Sequence, residues 1–232
     1  MIDSYSWPEQ AASKREHWLD FVIEHDVIGF FEEPITLKSG KISKWYVNWR
    51  TATADVFLMD QISQAVLDFV DAQGIEVDCF FGVAEGASKL GVLTQYKAAL
   101  TSKAFAKGSH TLAMGRAKPK EHGAAKDRFF LGEPRGRVLV LEDVTTTGGS
   151  LFACLAQLKE LDVDIVGALC LTDRSLNEAG HSTVAQQLHT QDIPFYAMSH
   201  AGQLLPRAVA KHDLDEETRA QLVRECPFLT EL

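Results

Sequence analysis

Two adjacent acids and the hydroxyl-rich turn behind them are the residues of this sequence best suited to chemistry. The stretch 138–150 reads VLVLEDVTTTGGS, so a short apolar run ends in Glu142 and Asp143, which we call the acid pair. The residues Thr145–Ser150, which we call the phosphate turn, would place backbone N–H groups and hydroxyls at the start of a helix, where anions bind. Carboxylates suit sugar hydroxyls or Mg²⁺, so the pattern predicts a sugar phosphate ligand.

Two other interpretations of this stretch explain less of it. No lysine follows Gly148 and Gly149, so the turn is not the G-x-x-x-x-G-K-[ST] loop that binds nucleoside triphosphates. An ordinary strand–turn–helix would account for the two glycines. It would not account for two carboxylates crowded at a strand end with three consecutive threonines behind them.

A second group of candidate residues lies in the range 115–136, the cationic segment, which reads GRAKPKEHGAAKDRFFLGEPRG. Its charges, prolines and glycines show little periodicity, so the sequence predicts a long irregular loop, which is usually either functional or disordered. Its cations stand out in an otherwise acidic chain: Arg116, Lys118, Lys120, His122 and Lys126. A mobile flap with this charge could close over a pyrophosphate and exclude water.

The composition argues against several functional classes. The length of 232 residues predicts one domain, or one domain with an appendage, and the net charge of −9 argues against a surface that coats nucleic acid. Four scattered cysteines form no C-x-x-C pair, which predicts buried free thiols in a reducing compartment. We expect a soluble cytoplasmic protein, because no signal-peptide pattern and no apolar run of about 20 residues occurs. The absence of zinc-ligand spacings argues against a protein-bound transition metal.

The elements that must position these residues follow from hydrophobic periodicity. A helix is predicted from a capping box at Ser6–Glu9 to about Asp26. Further helices are predicted at 55–73, 86–99, 149–161, 183–188 and 216–225, and strands at 79–83, 111–114, 138–141, 165–171 and 195–198. Continuous apolar strands between helices indicate an α/β fold with a mainly parallel sheet covered on both faces, which binds ligands beyond the carboxyl ends of its strands. The expected units are an N-terminal helix and hood segment (1–54), an α/β core (55–202) and a C-terminal helical extension (203–232).

The stretch 138–150 resembles the phosphoribosyl-pyrophosphate (PRPP) motif of the type I phosphoribosyltransferases. Four other stretches resemble the orotate phosphoribosyltransferases in particular: LKSGKISKWYVN at 37–48, GVAEGASKLG at 82–91, RAKPKEHG at 116–123 and TDR at 172–174. The resemblance implies the type I phosphoribosyltransferase fold with a small N-terminal hood. It also implies transfer of ribose 5-phosphate from PRPP to orotate, giving orotidine 5′-monophosphate and pyrophosphate in pyrimidine (UMP) synthesis.

The resemblance also implies roles for individual residues. Catalytic roles fall on Lys38, Lys120, His122 and Asp143. PRPP contacts fall on Arg116, Lys118, Glu142, Asp143, Ala84, Glu85 and the phosphate turn, which comprises Thr145, Thr146, Thr147, Gly148, Gly149 and Ser150. Orotate contacts fall on Lys38, Tyr46, Val47, Thr146 and Arg174. A guanidinium fork such as that of Arg174 suits the planar carboxylate of orotate, because two parallel charge-assisted bonds fix its orientation.

The same resemblance implies a cofactor and a partner. Mg²⁺ is expected, held mainly by substrate oxygens, with Glu142 and Asp143 as the available protein ligands. A homodimer is expected in which the cationic segment completes the neighbouring active site. Neither nucleic acid nor a membrane is expected as a partner.

The sequence departs from the family pattern at several positions. Ala117 stands where the family commonly has a lysine, Glu85 and Gly86 replace a Tyr-Lys pair, and Lys44 replaces a proline. A carboxylate at Glu85 would repel pyrophosphate, and Lys89 could compensate from the first turn of the next helix.

Two alternatives to orotate transfer therefore stay open. One is a phosphoribosyltransferase for another base, although Arg174 argues against a purine or uracil, which carry no carboxylate. The other is a catalytically inactive PRPP-binding regulator, since a fold alone does not fix a function. The intact acid pair and cationic segment favour an enzyme over such a regulator.

Overall fold

The structure is a computed structural model that describes residues 6–36, 42–116, 118–175, 182–226 and 228–229. Its helices are α1 (Ala12–Glu24), α2 (Val56–Gln73), α3 (Ser88–Thr101), α4 (Ala125–Phe129), α5 (Gly149–Leu158), α6 (Val184–His189), α7 (Ala201–Lys211) and α8 (Glu216–Glu225). Its strands are β1 (Ile28–Thr36), β2 (Ile42–Val47), β3 (Cys79–Gly82), β4 (Met114–Gly115), β5 (Phe130–Leu131), β6 (Arg137–Thr145), β7 (Asp164–Asp173) and β8 (Phe195–Ala197).

Four parallel strands form the central sheet, in the order β3-β6-β7-β8. The residues from Val138 to Leu141 in β6 are completely buried, as expected for an apolar run whose strand has neighbours on both sides and helices on both faces. The predicted α/β fold with a parallel sheet is confirmed. The acid pair accordingly lies at the carboxyl edge of this sheet, near the end of β6.

Helix α2 shows how the local sequence sets an element. The Asp55 side chain accepts a hydrogen bond from the Leu58 N–H at 2.9 Å and so caps the first turn. Gly74 ends the helix with a φ of 67°, in the left-handed region that glycine adopts readily. The apolar stripe between them, which includes Ile62 and Val66, is fully buried.

The capping box predicted at Ser6–Glu9 is wrong. The chain instead makes a 3-10 turn over Glu9–Ala11, in which the Ala11 N–H donates to the Pro8 carbonyl at 2.8 Å. Because this turn comes first, α1 begins only at Ala12 and has no side-chain cap.

The cationic segment contains regular structure that the sequence did not predict. Strands β4 and β5 pair antiparallel, and the short helix α4 lies between them in sequence. The strand predicted at 111–114 starts only at Met114, because its partner β5 has just two residues. Phe129 and Phe130 anchor the segment in the core, and the Phe130 ring lies 5.5 Å from the ring of Phe81.

The strands β1 and β2 form a separate antiparallel pair, which we call the hood hairpin. The two C-terminal helices reach the N-terminal region, since α7 packs against α1 and β1 while α8 packs against β2. Helix α7 lies largely within the predicted helical extension but was not predicted as a separate helix, although its Leu204 and Leu205 are completely buried. Within the described ranges, no helix combines the length and the apolar character that crossing a bilayer requires.

Candidate active site

The acid pair lies against the loop that follows β3. This loop, Val83–Ala87, is called the facing loop, and the Val83 N–H continues the sheet by donating to the Leu141 carbonyl at 2.8 Å. A Cβ atom on Gly86 would lie 2.6 Å from the Asp143 carboxylate oxygens, so a larger residue at position 86 would have to displace that side chain. Asp143 is therefore held beside the backbone of the facing loop.

The two acids differ in their surroundings. Glu142 is only 7% exposed, whereas Asp143 is half-buried. Burial raises the pKa of Glu142 well above its usual range, and the neighbouring Asp143 carboxyl raises it further. Protonation of Glu142 is therefore favoured, and a bound cation or hydroxyl donor would favour its ionised form.

Glycines allow the facing loop to fold tightly over the end of β3. A Cβ atom on Gly82 would lie 1.8 Å from the Ala87 carbonyl oxygen, and one on Gly91 would lie 2.3 Å from the Gly82 nitrogen. Glu85 in this loop is exposed. Lys89 donates from Nζ to the Thr53 carbonyl at 2.5 Å, so its predicted contact with pyrophosphate stays a prediction.

Most of the phosphate turn is exposed to solvent, and its backbone is held in place where Gly148 packs against a neighbouring ring. Gly148 has a φ of 75°, and a Cβ atom there would lie 2.7 Å from the Phe152 ring. The other members of the turn are exposed, except for buried Thr145: Thr146, Thr147, Gly149 and Ser150. Among the described residues, no side chain caps α5. The first N–H groups of this helix are therefore available to bind an anion.

Arg174 connects the phosphate turn to the hood hairpin. Its backbone N–H donates to the Thr145 carbonyl at 2.8 Å. Its Nη2 donates to Ser43 Oγ at 3.0 Å and to the Trp45 carbonyl at 2.9 Å. The guanidinium carbon lies 4.1 Å from the centroid of the Trp45 ring, at cation–π distance. Partial burial lowers the pKa of Arg174, and the carboxylate of Glu225 partly opposes this shift.

Two other predicted orotate residues lie on β2. The Tyr46 ring lies over Gly29, where an added Cβ would come within 2.2 Å of it, and 4.8 Å from the Phe31 ring. Val47 packs against the main hydrophobic core. Lys38, the predicted catalytic lysine, lies outside the described residues.

The predicted cations of the cationic segment are displayed on its surface. Lys118, Lys120 and His122 are exposed, and Arg116 is half-buried with its Nε donating to the Asp127 carbonyl at 3.2 Å. Across the part of the chain that the structure describes, no hydrogen bond or ion pair joins these four residues to the acid pair. The structure thus brings the acid pair, the facing loop and the phosphate turn together and leaves the cationic segment unengaged.

Sequence reasoning missed the group that holds Arg174. Ser43 is 1% exposed, and its hydroxyl accepts from Arg174 and donates to the Trp45 carbonyl. A lone serine in a strand carries no local signal of such a role. The partner that reveals it, Arg174, is 131 residues away in sequence.

Comparison with known proteins gives one consistent family. An orotate phosphoribosyltransferase from Methanocorpusculum labreanum is 30% identical over 188 residues, which cover 81% of this chain and 96% of that protein. One from Pyrococcus abyssi is 31% identical over 162 residues, which cover 69% and 81%. No protein-family model matches the chain.

Solved structures agree on the fold. The orotate phosphoribosyltransferase of Aeropyrum pernix superposes with a TM-score of 0.62 at 20% identity, covering 82% of this chain and 96% of that one. The Mycobacterium tuberculosis enzyme solved in complex with 5-phospho-α-D-ribosyl 1-diphosphate superposes with a TM-score of 0.56 at 18% identity, covering 82% and 98%. Sequence similarity over nearly the whole length of a relative, on the fold expected for it, places this chain in the orotate phosphoribosyltransferase family.

Proposed function

We propose that the protein transfers ribose 5-phosphate from PRPP to N1 of orotate, giving orotidine 5′-monophosphate and pyrophosphate. The observation that carries the proposal is the placement of Asp143 between the facing loop and the phosphate turn, with Arg174 bonded to that turn at Thr145. A phosphate site, a pair of acids and a guanidinium thus meet at one sheet edge. This set matches a donor with a phosphate, a ribose and a pyrophosphate, and an acceptor with a carboxylate.

The PRPP contacts would divide among three elements. The phosphate turn would hold the 5′-phosphate through the N–H groups at the start of α5 and the hydroxyls of Thr146, Thr147 and Ser150. Glu142 and Asp143 would accept hydrogen bonds from the ribose hydroxyls. The backbone of Ala84 and Glu85 would face the pyrophosphate, with Arg116 and Lys118 supplying positive charge from the cationic segment.

The donor set of the acid pair fits Mg²⁺. Mg²⁺ prefers oxygen ligands and is usually bound by one or two carboxylates together with substrate phosphates. No cluster of three or more potential metal-ligating side chains occurs among the described residues, so most ligands would come from the substrate and water. Bound Mg²⁺ would supply charge neutralisation at the pyrophosphate. Glu142 and Asp143 would hold it while keeping their contact with the ribose.

Orotate would bind between the hood hairpin and the phosphate turn. The Arg174 guanidinium would bind the orotate carboxylate by a charge-assisted hydrogen bond, and Thr146 would contact the pyrimidine. Tyr46 and Val47 on β2, together with Lys38, would line the base site. Because Arg174 Nη2 is already bonded to Ser43 and Trp45, its remaining N–H groups are the ones available for the ligand.

The chemistry would depend on positioning and charge. The C1–O bond of the ribose breaks with oxocarbenium-like character, and N1 of the orotate anion attacks without needing a strong protein base. Lys38 and Lys120 would stabilise the charge that develops on pyrophosphate, His122 would contact the phosphates and Asp143 would orient the ribose. Closure of the cationic segment would exclude water from the ribosyl cation.

We also propose that the active unit is a homodimer. Large apolar side chains are exposed near the start of α2 and along one face of α3, led by Val56 at 83%, Phe57 at 70% and Tyr96 at 54%. The Lys97 Nζ donates to the Asp60 carboxylate at 2.7 Å, which holds these two helices side by side. An apolar patch shared by neighbouring helices is typical of a protein–protein interface. In such a dimer the cationic segment of one protomer would complete the active site of its partner.

We further propose that the protein works in the cytoplasm. Its four cysteines are buried and free, which suits a reducing compartment.

The proposed function can be tested by ultraviolet absorbance. Purified protein is mixed with orotate, PRPP and Mg²⁺, and the loss of orotate absorbance is followed, with uracil and hypoxanthine in parallel reactions. We expect consumption of orotate alone. Consumption of another base would assign a different phosphoribosyltransferase, and PRPP binding without consumption of any base would indicate an inactive regulator.

The variant Arg174→Ala extends this test to the acceptor. Loss of the guanidinium should raise KM for orotate at least about tenfold, because a charged hydrogen-bond partner of the carboxylate is removed. KM for PRPP should change far less. Equal losses for both substrates would contradict the assigned role of Arg174.

A further inference from the structure

The C-terminal helix α8 is bonded to the same short stretch of β2 that holds Arg174. Glu225, at the end of α8, accepts a hydrogen bond on Oε1 from the Lys44 backbone N–H at 2.9 Å. Lys44 lies between Ser43 and Trp45, the two residues that accept from Arg174 Nη2. The backbone of residues 43–45 is therefore fixed by α8 as well as by the arginine.

The side chain of Lys44 strengthens this connection. It is 4% exposed, which is rare for a lysine. Its Nζ donates to the Glu32 carbonyl of β1 at 2.7 Å and lies 3.4 Å from the Thr218 hydroxyl of α8. Within the described ranges, no carboxylate forms an ion pair with Lys44. Its ammonium thus joins both strands of the hood hairpin to α8 through neutral oxygens.

Electrostatics link α8 to the arginine as well. Partial burial disfavours the charged form of Arg174, and Glu225 is the first group that opposes this effect. Glu225 is itself half-buried, so its charge is less screened than that of a surface acid. The Glu225 carboxylate therefore fixes the β2 backbone beside the Arg174 guanidinium and also favours the charged form of Arg174.

We propose that Glu225 and Lys44 are positioning residues for base recognition, which act through the 43–45 backbone on Arg174. The inference rests on the proposed function, because it concerns the site at which that function places orotate. It gives the C-terminal extension a task in the reaction.

The test compares Glu225→Ala with two more conservative changes. Glu225→Ala removes the acceptor for the Lys44 N–H and should raise KM for orotate about fivefold, while KM for PRPP changes by less than about twofold. Glu225→Gln keeps an acceptor oxygen and should restore most of the orotate affinity. Lys44→Met keeps the apolar stem but removes the ammonium, so it should also raise KM for orotate selectively.

Glu217→Ala serves as the matched control, since Glu217 lies on the same helix and is exposed. We expect it to leave both KM values unchanged. If Glu225→Ala does not fold, Lys44→Met still tests the proposal, because methionine keeps the apolar stem and removes the cost of burying a charge.

The outcomes separate the two proposals. If the unmodified protein consumes no orotate, the proposed function fails and this inference falls with it. If the unmodified protein is active, but the Glu225 and Lys44 variants change neither KM or change both equally, the function stands and the positioning role is overturned. A Glu225→Gln variant as impaired as Glu225→Ala would also overturn it, because the hydrogen bond to the Lys44 N–H would then not be what matters.

Discussion

The phosphate turn and the cationic segment both supply groups for the same proposed donor, yet the fold treats them in opposite ways. The phosphate turn follows a strand that is paired on both sides, and its Gly148 is packed against Phe152 and Val184. The cationic segment is anchored in the core by Phe129 and Phe130, while Lys118, Lys120, His122 and Lys126 lie exposed.

This difference separates what must be ready before binding from what acts afterwards. Backbone N–H groups at a helix start bind an anion without reorganisation, so they belong on a rigid element. Exposed lysines are strongly hydrated and flexible, so they gain their effect only when a ligand orders them in a closed site. We therefore expect substitution of the packed Gly148 in the phosphate turn to affect both stability and PRPP binding, and substitutions of exposed cations to affect turnover alone.

The largest effect is expected for Lys120→Ala. Removal of one cation that stabilises the leaving pyrophosphate should lower kcat about a hundredfold, the scale measured for single charge-stabilising groups in other enzymes. The free energy of unfolding should not change, because the side chain is exposed and has no described partner. Steady-state kinetics and thermal denaturation together check both statements.

Lys126→Ala is the control for this prediction, since Lys126 is an exposed lysine of the same segment that matches no family position. Its kcat should equal that of the unmodified protein; a comparable loss would mean that only the overall charge of the segment matters.

Mixing the Lys120→Ala and Arg174→Ala proteins tests the dimer. Exchange of protomers should restore up to about a quarter of the activity, because one site in each mixed dimer has both residues intact.

A smaller effect is expected for Gly148→Ala, but it should change both PRPP binding and the stability of the fold. Its φ of 75° and the 2.7 Å approach of the Phe152 ring leave no room for a side chain in the native backbone. The turn should shift, which would raise KM for PRPP about tenfold and destabilise the fold by about 1–3 kcal/mol. Denaturant unfolding and PRPP titration measure the two effects.

The neighbouring glycine provides the contrast. An added Cβ at Gly149 has no atom within 4 Å, so Gly149→Ala should leave the free energy of unfolding within about 0.5 kcal/mol of the unmodified value. Should both alanine variants unfold alike, the phosphate turn would not be the rigid element described above.

The same contrast explains which features the sequence could predict. The acid pair and the phosphate turn are visible because their signal is local, an apolar run followed by acids and glycines within 13 residues. The extension of β6 to Thr145 was missed, because it depends on pairing with β7, where Thr145 lies opposite Asp173. A strand's length is set by its neighbours, which periodicity in one segment does not reveal.

Two further features were beyond local patterns for other reasons. Helix α7 contains Pro206 in its interior, which argues against a helix on propensity, but burial of Leu204 and Leu205 stabilises it. The position of the Arg174 guanidinium depends on its contacts with Trp45, which is 129 residues away along the chain. Such contacts exist only once the fold brings distant segments together.

The smallest expected effect concerns the buried member of the acid pair, and its sign is the informative part. Because burial and Asp143 raise the pKa of Glu142 in the folded protein, the carboxyl destabilises the fold once the pH exceeds its ordinary unfolded value of about 4.3. The penalty grows as the pH rises towards the folded pKa and is absent in acid, where the group is protonated in both states. Glu142→Gln should therefore raise Tm by a few degrees near pH 8, and by almost nothing near pH 4.

Activity with PRPP should fall in the same variant, because the amide cannot replace a carboxylate that accepts from the ribose and contacts Mg²⁺. Glu24→Gln, at an exposed acid of α1, should alter neither Tm nor activity at any pH. A Glu142→Gln protein that is less stable at pH 8 would show that the surrounding groups of the folded protein stabilise the carboxylate. The acid pair would then be a structural element, and it would no longer belong with the phosphate turn to a site that is preformed for PRPP.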